Sequence, residues 1–146
     1  MQVEGRLMEE VNLENGLTIQ FFDRSKAIAG DRFQAQILIR IPLPIQEFWF
    51  ENDPEAIEDL PAFRSAFGSG IHYQQTKVRN FIDKASLAPT LATMKDEFLK
   101  TNGAYLSHPS FAEKYVISRF HEWKRETTWG RLHGEAIRRA DAEMEG

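Results

Sequence analysis

Phe33-Gln34-Ala35-Gln36-Ile37-Leu38-Ile39-Arg40-Ile41-Pro42-Leu43 alternates in character along its whole length. Phe33, Ala35, Ile37, Ile39, Ile41 and Leu43 fall on one side of an extended chain. Gln34, Gln36, Leu38, Arg40 and Pro42 fall on the other. A period of two with one apolar side predicts a strand in an antiparallel sheet that is covered on one face. Pro42 and Pro44 end that strand or hold it at an edge, because proline cannot donate to the ladder.

Upstream, Leu17, Ile19 and Phe21 share one face of a second strand. It is preceded by Glu14-Asn15-Gly16, and Asn-Gly between alternating runs is a strong hairpin signal. The strand before that hairpin runs from Val3 to Leu13, with Val3, Leu7, Val11 and Leu13 on one face and Gly5 and Glu9 as imperfections. Residues 23–32 read as an irregular turn pivoting on Gly30. These segments make an antiparallel three-stranded meander.

Downstream the pattern becomes helical. Asp53-Pro54 supplies an N-cap followed by proline at the first helical position, and Pro61 interrupts or restarts that helix before Gly68-Ser69-Gly70. His72 to Ile82 alternates poorly and reads as a fourth strand at the sheet edge. Leu87, Leu91, Met94 and Phe98 form a helical stripe that Asn102-Gly103 should stop. Ser107-His108-Pro109 opens another helix carrying Phe111, Tyr115, Phe120 and Trp123. Gly130 and Gly134 interrupt a last, weaker helix, and residues 140–146 should fray. A strand-rich segment (1–45) followed by a mainly helical one (53–140) predicts a single α+β domain over 1–146. Its sheet has three or four antiparallel strands, with the helices packed on one face.

Composition narrows the function classes. The 146 residues carry a net charge of −4 and no cysteine, so disulfides, thiolate nucleophiles and cysteine-held metals are excluded. The N-terminus lacks the basic segment and apolar run of a secretory signal, which predicts a cytoplasmic protein with no membrane partner. No G-x-S-x-G elbow, phosphate loop or dinucleotide turn occurs. His121-Glu122 and His133-Gly134-Glu135 are too far apart to ligate a metal from one helical face. No cofactor or metal is expected.

Three constellations remain. Residues 23–32 gather Asp23, Arg24, Lys26 and Arg32, joined by Arg79, a set compatible with an anionic ligand or an unrecognised active site. Asp23 and Ser25 equally suit a solvated turn. Phe48-Trp49-Phe50 cannot all face one core if extended, so these aromatics, with Trp129, are candidates for an interface. Arg119, Lys124, Arg125 and Arg131 interleave with Phe120, Trp123 and Trp129, which suggests a weak single-stranded nucleic-acid surface. The overall negative charge works against that reading. The expectation is a non-enzymatic binding or assembly module acting through a homo-oligomer, such as a homodimer, or a protein partner.

Overall fold

The alternation of residues 33–43 is realised as β4 (Arg32–Pro44), the spine of the sheet. The computed structural model describes residues 5–68 and 70–145, with side chains through Trp129. The other strands are β1 (Arg6–Asn12), β2 (Thr18–Asp23), β3 (Lys26–Ala29) and β5 (Gly70–Asp83). The helices are α1 (Pro54–Phe67), α2 (Leu87–Leu106) and α3 (Phe111–Glu145). The fold is α+β: four antiparallel strands come first and the helices follow, with β5 set between α1 and α2. The chain divides into two compact units, Met1–Pro44 with Ser69–Ala112, and Ile45–Gly68 with Glu113–Gly146.

In the first unit every pairing is antiparallel: β1 with β2, and β4 with β2, β3 and β5. β2 and β3 lie along the same edge of β4 in one register. Phe21 faces Ile39 and Asp23 faces Ile37, while Lys26 faces Gln34 and Ala27 faces Phe33. Between them Arg24 N–H donates to Gln36 O at 2.9 Å, and Gln36 N–H donates to Ser25 Oγ at 3.1 Å. A hydroxyl thus stands in for a backbone acceptor where the strand breaks. Residues 23–29 are therefore mostly strand, and the turn shrinks to Gly30-Asp31, with Gly30 at φ +59° as its pivot.

Ile19, Phe21, Ala35, Ile37, Ile39 and Ile41 are fully buried or nearly so on one face. Leu91, Met94 and Phe98 of α2 are buried with them, and Phe98 meets Phe21 edge-to-face at 6.1 Å. Each such side chain is worth roughly 1.5–3 kcal/mol of burial. α2 does not stop at Asn102-Gly103. It continues to the fully buried Leu106, and that extra apolar turn outweighs the cost of an internal glycine, about 1 kcal/mol. Asn15 secures the β1–β2 hairpin to the end of α2, its Nδ2 donating to Leu106 O at 2.8 Å and His108 O at 3.0 Å. His108 serves the start of α3, its Nδ1 accepting from Ser110 N–H at 3.1 Å.

β1 departs from its expected face. A register shift between Leu7 and Glu9 leaves Val11 opposite Ile19 on the α2 side, while Leu7 faces Phe22 on the other side. A bulge inverts the alternation beyond it, so Leu7 and Val11 do not share a face. Glu9, brought to the α2 side, pairs with Lys95. Val3 lies outside the described residues.

The second unit is built on α1 and α3. Asp53 Oδ1 accepts from Ala56 N–H at 3.2 Å and Pro54 occupies the first turn, as the sequence requires. The helix passes through Pro61 without ending, because Leu60 and Phe63 on either side of it are both buried. Phe63 meets Phe120 at 5.2 Å and 89°, and Trp123 at 5.3 Å. α3 likewise runs unbroken past Gly130 and Gly134 to Glu145. The side chains of residues 130–146, which include His133 and Glu135, lie outside the described residues.

Candidate functional site

β5 is the longest strand, and twelve of its fourteen residues face β4. Its other side pairs with no described strand. Among the described residues no backbone hydrogen bond from Gln74 to Ile82 leaves the sheet. The register with β4 is unbroken from Gly70 to Arg79 and then shifts, so that Asn80 and Phe81 both stand opposite Gln34. Phe81 sits at φ +61°, the left-handed region, with its ring 72% exposed. A bulky residue rarely adopts that conformation, so the bulge stores backbone strain and ends the regular edge at Arg79.

The opposite edge of the sheet is blunted. β1 has seven residues, a register shift, and Arg6, Glu9 and Glu10 along its length. Short, charged and bulged edges resist pairing with another chain, whereas a long regular one is a template for it. β5 also carries Lys77 and Arg79 and a bulge, but the bulge lies beyond Arg79, the strand is twice as long as β1, it has no proline, and Val78 in its middle is 45% exposed.

A groove runs beside this edge, between β5 and α2. It encloses about 310 Å³ and is lined by Lys77 and Arg79 from the strand and by Met94, Glu97, Phe98 and Thr101 from the helix. Register places Lys77 and Arg79 on the α2 side, opposite Ile37 and Ala35. Arg79 Nη2 donates to Glu97 Oε2 at 2.7 Å across the groove. The floor is apolar and the lip charged, the arrangement that lets a groove take a side chain while its backbone edge takes a strand.

The five residues suggested as an anion site do not converge. Asp23 is on the α2 face of the sheet, 3.5 Å from Arg6, and accepts from Ser25 N–H at 2.9 Å. Arg24 is on the opposite face, its stem running past Gly5. A Cβ at Gly5 would stand 2.7 Å from Arg24 Cγ, and φ +114° also suits only glycine there. Lys26 is exposed opposite Gln34, and Arg32 pairs with Asp83. Arg79 alone borders the groove. On the face turned away from α2, Arg40 Nε is buried with no hydrogen-bond partner among the described residues. Arg40 also helps hold the nearby His72 below its ordinary pKa, after burial, which has the larger effect.

The aromatic triplet separates as well. Glu47–Phe50 forms a 3-10 turn rather than an extended segment, and successive side chains on such a turn point about 120° apart. Phe50 is 4% exposed and meets Phe120 at 5.1 Å, so it belongs to the core of its own unit. Phe48 is 61% exposed and stacks edge-to-face on the half-buried Trp49 at 5.7 Å. Trp129, 67% exposed, borders a shallow concavity with His121, Lys124 and Arg125. Nearby, Lys124 pairs with Asp59, a hydrogen bond that raises its pKa.

No group of His, Asp and Glu among the described residues is arranged to hold a metal. No described helix is long and apolar enough to cross a membrane. The groove residues of α2 escaped the sequence reading. Glu97 and Thr101 lie one turn apart on the flank of the Leu91-Met94-Phe98 stripe, a spacing visible only once that stripe is known to face β5. Comparison of the chain with protein-family models, curated proteins and solved structures returns no match.

Proposed function

We propose that this protein is a non-enzymatic assembly module that associates by strand addition along β5. The observation that carries the reading is a fourteen-residue strand that, among the described residues, is paired on one side only, beside a groove with an apolar floor. Backbone groups on such an edge supply affinity, and the groove supplies selectivity through alternate side chains of the added strand. The dispersal of Asp23, Arg24, Lys26 and Arg32 over two faces gives a small-anion site no comparable support.

Proline at the edge tests this directly. Successive strand residues turn their N–H groups to opposite sides, so of Thr76→Pro and Lys77→Pro one removes an outward donor and the other a bond to β4. The variant that keeps native circular dichroism is the probe. Native mass spectrometry and affinity capture should show a bound protein, of whatever identity, on the wild type and not on that variant. Association equal in the two, or none with either, overturns the reading.

A further inference from the structure

We infer that the strand added to β5 is β5 of a second copy of this chain, antiparallel to the first across a two-fold axis at Thr76. The inference rests on the strand-addition reading and names its occupant. A geometric observation selects the register, and an electrostatic one rules out the axes nearer Phe81. Ile71 is buried and Phe81 has a left-handed φ, so the stretch of edge between these two limits is His72 to Asn80, in register with β4 as far as Arg79. The midpoint of that segment is Thr76.

The second observation is electrostatic. A two-fold axis perpendicular to the sheet pairs residues of the same face, and like charges directly opposite each other are destabilising. An axis at Lys77 sets that lysine against itself, one at Val78 sets Lys77 against Arg79, and one at Arg79 sets that arginine against itself. With the axis at Thr76, Lys77 faces Gln75 of the second copy, and Val78 faces Gln74. Arg79 faces Tyr73, and Asn80 faces His72. No charge opposes its like, and a guanidinium beside a tyrosine ring is favourable.

The same register uses the groove. Lys77 and Arg79, which line it, would receive Gln75 and Tyr73 of the second copy on the α2 side of the sheet. Nine residues from each strand supply on the order of ten backbone hydrogen bonds, about the number found in a typical specific interface.

The chain contains no cysteine, so a single introduced thiol reports position without interference. Directly opposite residues of an antiparallel pair have Cβ atoms about 4.5–5.5 Å apart, near the range a disulfide spans. Thr76→Cys should therefore form a disulfide-linked dimer under mild oxidation. Val78→Cys, also exposed but roughly 13 Å from its own copy, should stay largely monomeric and measures chance collision. The wild type should show a dimer in native mass spectrometry whose fraction rises with concentration.

Equal cross-linking at the two positions, or a stronger reaction at Val78→Cys, overturns the register. A wild type that stays monomeric at every concentration overturns self-pairing. If that monomer still retains a different protein, and the folded proline variant does not, strand addition stands and only the identity of the occupant falls.

Discussion

Phe81 concentrates strain at a single residue. Its φ of +61° costs an L-residue roughly 1–2 kcal/mol, and its exposed ring recovers little of that by burial. Glycine relieves the strain but loses more chain entropy on folding, a counter-cost of about 0.5–1 kcal/mol. Phe81→Gly should therefore raise stability by up to about 1.5 kcal/mol, read as a higher urea midpoint at unchanged slope. No gain would mean that the ring has a partner in the folded state. His72 carries the second residue-scale prediction. Burial and then the Arg40 guanidinium lower its pKa below the usual 6.5 in the folded chain. As pH falls, the unfolded chain takes up this proton first, so stability holds above the ordinary value and declines as pH drops through the folded one. His72→Gln should flatten that part of a melting-temperature profile, which lies below the ordinary value of 6.5. An unchanged slope would assign the acid sensitivity to other groups.

Helix and strand ends follow local chemistry where that chemistry has no competitor. Asp53 caps α1 through one side-chain bond to Ala56, so Asp53→Ala should cost about 1 kcal/mol in thermal unfolding while circular dichroism keeps its shape. The Asn15-Gly16 hairpin, the alternation of β4 and this cap were all readable in the chain, because each depends on neighbours within a few residues. Leu7 was misplaced because a bulge is set by pairing with β2, and nothing in residues 6–12 announces it. Gly103 and Pro61 fail as stops because Leu106 and Phe63 lie beyond them with buried side chains, and burial outweighs propensity. The proposed site was half visible. Residues 72–82 could be read as an edge strand, yet the groove beside it depends on which flank of α2 meets β5.

At the scale of the whole molecule, neither compact unit is a continuous stretch of chain. Residues between β4 and β5 belong to the second unit, as do those after Ala112, so the sheet is interrupted by a segment that folds elsewhere. Charge follows the same division. The acidic run from Glu47 to Asp59 lies wholly in the second unit and meets a basic side chain of α3 there through Asp59 and Lys124. The segments that looked opposed along the sequence are therefore partly neutralised within one unit. That leaves β5, in the other unit, with an outer edge that no described strand pairs.

The interruption also sets a kinetic order. The β1–β2 and β3–β4 hairpins join neighbours across tight turns and can form within microseconds. The β4–β5 ladder must first bring Gly70 back to Pro44 across twenty-five intervening residues. The length-dependent part of that closure is worth roughly 3 kcal/mol for a flexible loop. A preformed α1, capped at Asp53, shortens the loop and lowers the barrier. The edge on which association is proposed is thus the last part of the sheet to be completed, and a newly made chain shows a partner its binding strand only after the rest of the sheet is in place.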